Sequence, residues 1–280
     1  HDSISKGSQF ISIHPDQDSL SFFSSSASYS LKDYIIYASG VDSILVADAI
    51  LYPDSGKVIV HKEAVIPTLH NAVLVADNLT RYHKFAKASV DIISANAYTG
   101  SGYYTFIDAM DNRQEMFFDS IMVNQDTITE AHGGLADSSS FSIDSKFDFK
   151  GGIDLYADKK HLTFDGYFMM NHNCSLLAKE WVKFRSEIDP NNINITINNQ
   201  VVNENNETLY TGVLFRKDTF DIYSTFLSKK VNDLDIEMIN ASHSIIYDDS
   251  KSAYIINPYD SLSNTFMLFD SSVEPWRRKY

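Results

Sequence analysis

Asp48, Asp77, Asp108 and Asp137 recur at intervals of 29, 31 and 29 residues, and each closes a short apolar run: Leu45-Val46-Ala47-Asp48, Leu74-Val75-Ala76-Asp77, Phe106-Ile107-Asp108 and Leu135-Ala136-Asp137. Carboxylates repeated at one period are brought into line when successive units stack, and such a row can bind calcium or do acid–base work on a polysaccharide. The same aspartates also suit turns, because the side chain accepts a hydrogen bond from the backbone two residues on. The turn is the simpler role. The four form a ladder only where they face a common groove.

Aromatic residues make up 13% of the chain. Tyr98, Tyr103, Tyr104 and Phe106 form the densest group, and the two-residue period of a strand sends Tyr103 and Thr105 to the face opposite Tyr104 and Phe106. Exposed tyrosine rings stack on sugar rings, so Tyr98, Tyr103 and Tyr104 join the four aspartates as candidate binding residues. Nine histidines are scattered singly. His70, His83 and His132 are the three that neighbouring units can bring together, and three imidazoles can hold a metal, but separate surface or core roles are simpler and no metal or cofactor is expected. Gly100-Ser101-Gly102 lacks the full G-x-S-x-G spacing of a nucleophile elbow and reads as a hairpin turn. The single cysteine, Cys174, excludes an intrachain disulfide and reads as a small buried hydrophobe. Phosphate-loop, dinucleotide, zinc-protease and Cys-x-x-Cys patterns are absent, so the expectation is a protein that is not an enzyme.

The 280 residues carry a formal charge of −14, which opposes binding to nucleic acid or anionic lipid. No apolar run reaches the roughly 18 residues that span a bilayer, and the N-terminus lacks the pattern of a signal peptide. The chain reads as soluble, without direct membrane insertion.

The elements that must position these residues are short. From Phe10 to Asn171, runs such as Tyr34-Ile35-Ile36-Tyr37, Ile50-Leu51-Tyr52, Val58-Ile59-Val60 and Leu162-Thr163-Phe164 alternate with Asp-, Ser- and Gly-rich spacers; this is strand chemistry. Pro53-Asp54-Ser55-Gly56 reads as a tight reversal. Leu177, Trp181, Phe184 and Ile188 share one face of a 3.6-residue period, which predicts a helix over 175–188 stopped by Asp189-Pro190. Residues 218–230 predict a second helix. Strands resume at Ile236, Ser244 and Ala253.

The segment from Ile44-Leu45-Val46-Ala47-Asp48 through Pro53-Asp54-Ser55-Gly56 to Val58-Ile59-Val60 resembles the repeat of the organic-solvent-tolerance and lipopolysaccharide-transport family of periplasmic proteins, over residues 27–170. That resemblance implies a stacked β-jellyroll, an envelope location and a lipid-carrying role. Asp18-Ser19-Leu20, Asp42-Ser43-Ile44, Asp119-Ser120-Ile121, Asp126-Thr127-Ile128 and Asp260-Ser261-Leu262 are similar to the tripeptide O-glycosylated in exported proteins of Bacteroidota-type bacteria. Asn78-Leu79-Thr80, Asn194-Ile195-Thr196 and Asn206-Glu207-Thr208 fit the N-glycosylation pattern. Both point to an exported protein of the periplasm or cell surface.

The expected fold is therefore mainly β: an elongated repetitive stack, a β-solenoid or stacked β-jellyroll, with a helical insertion near 175–188. Residues 1–171 would form the repetitive stack and 172–280 a helix-containing β region, either separate or continuing the same stack. The expected role is a non-catalytic structural or binding module of a cell-envelope or surface assembly, with a protein or glycan partner. The alternatives are a carbohydrate-active enzyme on a parallel β-helix and a periplasmic lipid carrier. An acidic cleft favours the enzyme, and a continuous apolar slot favours the carrier.

Overall fold

The computed structural model describes residues 7–135, 141–174, 177–197, 200–241, 243–258 and 267–270. The chain is mainly β, and every strand pair whose direction is defined is antiparallel. It divides into two compact units of three segments each: His1–Phe106 with Arg113–Gly134 and Asp154–Leu162, and Ile107–Asn112 with Leu135–Ile153 and Thr163–Tyr280.

In the first unit the strands are β1 (Ser8–Ile11), β2 (Ser21–Ser24), β3 (Ser26–Ser30), β4 (Ile35–Ser39), β5 (Ile44–Val46), β6 (Ala49–Tyr52), β7 (Lys57–Val60), β8 (Leu69–Ala76), β9 (His83–Ser94), β10 (Ala97–Ile107, up to Phe106), β11 (Arg113–Val123) and β12 (Thr129–Gly134). One sheet runs β1-β2-β5-β6-β8-β9-β10-β11-β12, and β3-β4-β7 forms a small second sheet. From β8 to β12 the path is a meander in which each strand pairs with the next. Alternation makes it work: in β9, His83, Phe85, Ala88, Val90, Ile92 and Ser94 are buried while Lys84, Lys87, Asp91 and Ile93 are exposed. The phase slips at Lys87, whose φ of 50° marks a bulge.

The two copies of Leu-Val-Ala-Asp do not occupy equivalent positions. In β5, Ile44 and Val46 point inward and Leu45 is 56% exposed; in β8, Leu74 and Ala76 are fully buried. Ala47 lies in the β5–β6 turn at φ 51°, whereas Ala76 ends a strand. One tetrapeptide thus sits in opposite phases of the pleat, because a one-residue offset exchanges every side chain between faces.

Two glycine segments also differ from expectation. Pro53 to Gly56 does form a turn, with Gly56 at φ 63°, but β6 pairs with β5 and β8 while β7 pairs with β4. The turn is a corner between two sheets and not a hairpin. Gly100-Ser101-Gly102 lies inside β10, at a register shift against β9. A Cβ at Gly100 would meet the Ser89 carbonyl oxygen at 2.6 Å, so glycine is what lets the two backbones approach there.

The second unit contains β13 (Phe141–Ser142), most of β14 (Phe147–Tyr156) and β15 (Leu162–Met170), then β16 (Val182–Ile188), β17 (Ile195–Thr196), β18 (Val201–Val202), β19 (Thr208–Arg216), β20 (Asp221–Ser228), β21 (Ile236–Asn240), β22 (His243–Asp248), β23 (Ala253–Pro258) and β24 (Met267–Asp270). The ladders are β14-β15-β16 with β13 on β14, β17-β22-β23-β24, and β18-β19-β20 with β21 on β19. Its core is aromatic: Phe149 meets Phe164 at 4.9 Å and Phe184 at 5.7 Å, and Phe168 meets Phe184 at 5.3 Å, all edge to face. That is the arrangement ring quadrupoles favour.

Neither expected helix forms. Val182-Lys183-Phe184-Arg185-Ser186-Glu187-Ile188 is a strand with Val182, Phe184, Ser186 and Ile188 buried and the three charged residues exposed. Val182, Phe184 and Ile188 keep the two-residue spacing of a strand, with charged residues between them, and the helical face drawn through Leu177 and Trp181 does not share that alternation. Residues 221–228 are likewise β20, preceded by a turn in which Phe220 is 80% exposed at φ 57°. Helical content among the described residues is limited to three short 3-10 turns. Among the described residues no helix is long and apolar enough to cross a membrane.

Candidate functional site

The tyrosine cluster divides as the strand period requires. Tyr104 turns inward, against Phe85 and Phe118 with ring centroids at 5.9 and 6.0 Å, and burial pushes its phenol pKa up. Tyr98 is 1% exposed, and burial raises its phenol strongly. Tyr98 is thus enclosed, while Tyr104 is half-buried. Tyr103 faces outward. Its ring lies 5.1 Å from exposed Phe117 on β11, and the Lys87 ammonium from β9 stands 5.3 Å from its centroid. Lys87 in turn sits 3.8 Å from Glu115. The result is an aromatic pair on an open strand face, flanked by a cation and a carboxylate.

The three described aspartates differ in their partners. Asp77 Oδ1 accepts from Leu79 N at 2.7 Å, and Asp108 Oδ1 accepts from Met110 N and Asn112 N at 2.8 and 2.9 Å. Both serve turns, and the donors around Asp108 hold its carboxyl below the usual range against the effect of burial. Asp137 lies outside the described residues. Asp48 differs: its Oδ2 accepts from Thr129 N at 2.9 Å and its Oδ1 from the Thr129 hydroxyl at 2.5 Å. The Tyr98 hydroxyl lies 2.5 Å from Thr129 Oγ1. With Asp48 ionised, the chain of donors runs Tyr98 to Thr129 to Asp48. Burial raises the Asp48 carboxyl, with the Thr129 bonds pulling the other way.

The three histidines have separate surroundings. His70 Nδ1 is 3.3 Å from Ser89 Oγ. His83 is fully buried, with Nε2 2.7 Å from the Lys159 carbonyl and Nδ1 3.4 Å from the Tyr104 hydroxyl. Nε2–H therefore donates to Lys159, and Nδ1 accepts. His132 Nδ1 stands 2.8 Å from Asp154 Oδ1 in a shallow hollow shared with Ser120 and Glu130. Among the described residues no three His, Cys, Asp or Glu side chains converge as a metal site. Cys174 is buried and free.

Two concavities escaped the sequence reading, because their walls come from residues distant in the chain. The first, of about 300 Å³, lies in the first unit between the β1–β2 end of the large sheet and the β3-β4-β7 sheet, and its walls are largely apolar. The second, of about 540 Å³, lies in the second unit and is lined by Asp144, Lys146, Asn191, Tyr247 and Asp249 among others. Asp144 Oδ1 accepts from Lys146 N and Phe147 N at 2.7 and 2.9 Å, yet burial still raises its carboxyl.

No protein-family model, curated protein or solved structure matches this chain.

Proposed function

We propose that this protein is a non-catalytic binding module of a cell-envelope or cell-surface assembly, and that it meets a glycan or protein partner through the exposed face carrying Tyr103 and Phe117. The carrying observation is that aromatic pair, set on neighbouring strands with Lys87 and Glu115 beside it. Two rings on a flat surface offer apolar area at little entropic cost, and the flanking charges supply hydrogen bonds. The resemblance of residues 27–170 to the periplasmic transport family, and the export-type glycosylation tripeptides, support the envelope location. A repetitive stack, a β-solenoid or the stacked β-jellyroll of that family, is part of this reading.

The test is binding of the purified chain to a panel of acidic and neutral glycans and to envelope extracts, with Tyr103→Ala and Phe117→Ala alongside. Loss of binding in both variants at unchanged stability supports the proposal; equal binding by both refutes it. The enzyme alternative is now best represented by the second concavity, where a carboxyl raised by burial is a candidate acid. Sustained release of reducing ends from a polysaccharide, abolished by Asp144→Asn, would establish that alternative. The carrier alternative draws on the apolar concavity.

A further inference from the structure

Strand register gathers apolar side chains on one face of the sheet formed by β20, β19 and β21 in the second unit, a surface independent of the Tyr103 reading. Phe215 pairs with Ile222 on one side and Ile236 on the other, and Val213 pairs with Ser224 and Ile239. The two-residue period puts both rows on one face, and Leu214 between them, 1% exposed, turns to the core. Ile236 and Ile239 are three apart and would point to opposite faces of a regular strand. Met238, unmatched in the register, is the extra residue of a bulge that returns Ile239 to the face of Ile236. Phe220 extends the first row, its ring centroid 6.2 Å from that of Phe215.

These side chains are left in water: Phe220 is 80% exposed, Ile236 and Ile239 46% each, and Ile222 44%. A contiguous apolar patch marks a contact surface, and charge indicates the partner. The whole chain carries −14, yet residues 208–240 hold four basic against five acidic residues, and Arg216 pairs with Asp218 at 3.1 Å and Lys230 with Glu237 at 3.2 Å. A strongly charged partner therefore finds no opposite field here. A copy of the same face needs none, and two acidic bodies meet with least repulsion where each is nearly neutral. Twofold contact sets one patch against itself, and apolar faces of two sheets interdigitate. The exposed apolar area is roughly 200 Å² per copy, at about 60–120 Å² for a fully exposed large side chain. That is well short of the ~800 Å² per partner of a stable complex, so such a contact is weak and reversible.

We propose that this face is the contact between two copies of the chain, a weak twofold dimer in which Phe220, Ile222, Phe215, Ile236 and Ile239 of one copy pack against the same surface of the other.

Sedimentation equilibrium of the intact chain tests this from about 10 μM to about 1 mM, where contacts of this size dissociate. The weight-average mass should climb from 31.6 kDa toward twice that value and stop there. Added salt should promote the rise, because screening removes repulsion between two acidic bodies and takes nothing from an apolar contact. Phe220→Asp and Ile236→Asp should each weaken association about tenfold or more, by burying an unpaired charge at the contact. Leu79→Asp, the same charge change at a side chain 87% exposed in the first unit, should leave it unchanged. Phe220 sits at φ 57°, a backbone that aspartate tolerates, so its variant keeps the fold. A chain monomeric at every concentration overturns the proposal, as does assembly beyond two copies or association that salt weakens. Dimerisation unaltered in folded Phe220→Asp and Ile236→Asp, or lost equally in Leu79→Asp, overturns the location. A monomeric chain that partitions onto neutral phosphatidylcholine vesicles, and ceases to do so in Phe220→Asp, assigns the face to a lipid surface and likewise overturns the dimer.

Discussion

Asp48 receives both donors of Thr129, the backbone N–H at 2.9 Å and the hydroxyl at 2.5 Å, across 81 residues of chain. This carboxylate ties the β5–β6 turn to the start of β12, and through Thr129 it reaches the buried phenol of Tyr98. Thr129→Val keeps the shape but leaves the Tyr98 hydroxyl without its acceptor and Asp48 with one donor fewer. Urea unfolding should report a loss of about 1–3 kcal/mol.

The same carboxyl gives a signed pH dependence. Burial holds its folded pKa above the 3.8 of an ordinary aspartate. The protonated form is therefore favoured on folding: its contribution is complete below pH 3.8 and is lost as pH rises through the folded value. Asp48→Asn has no such step. The stability of that variant relative to the parent should climb with pH over this acid window and then level off. A flat difference between pH 3 and 7 would contradict the raised carboxyl.

His83 runs in the opposite sense. Burial, aided by His161, lowers its pKa below 6.5, so the neutral ring contributes fully above pH 6.5 and that contribution drains away as pH falls through the folded value. Protonation also sets Nδ1–H against the Tyr104 hydroxyl it now accepts from. Stability should drop as pH falls from 6.5 through the folded value, and His83→Gln should lose most of that slope in chemical unfolding.

Leu45 and Leu74 hold the same place in identical tetrapeptides but opposite places in the pleat. Leu74→Ala should cost about 2–5 kcal/mol as a core cavity, and Leu45→Ala about 0.5 kcal/mol or less. Equal losses would restore equivalence of the two copies.

Gly100 and Gly134 make a matched pair. A Cβ at Gly100 strikes the Ser89 carbonyl oxygen at 2.6 Å, and one at Gly134 meets nothing within 4 Å. Gly100→Ala should destabilise by about 1–3 kcal/mol, with Gly134→Ala close to neutral in the same melts.

Much of the β architecture was legible because alternation is local: that Tyr103 and Tyr104 point to opposite faces follows from strand period alone. The turn role of Asp77 and Asp108 was legible for the same reason. What misled was ambiguity between periods. Leu177, Trp181, Phe184 and Ile188 satisfy a helix, and only the charges at Lys183, Arg185 and Glu187 reveal the strand. The repeat misled because matching letters do not fix pleat phase. The apolar concavity, with Gln17 in its wall, was illegible because that wall joins strands β1 and β2 to β4 and β7, and no local pattern records such a meeting.

The meander from β8 to β12 also bears on the order in which the first unit assembles. Each of these strands finds its partner in the next stretch of chain, so the ladder can zip forward hairpin by hairpin with short loops to close. The β5–β6 turn cannot be completed on that schedule. Its carboxylate waits for Thr129, which arrives only when β12 begins, so a chain interrupted before that point carries a nearly finished ladder with Asp48 and Tyr98 still unmet. The slowest step in forming this unit should accordingly be the one that brings Thr129 home, and a refolding trace followed through Tyr98 should lag one followed through the backbone.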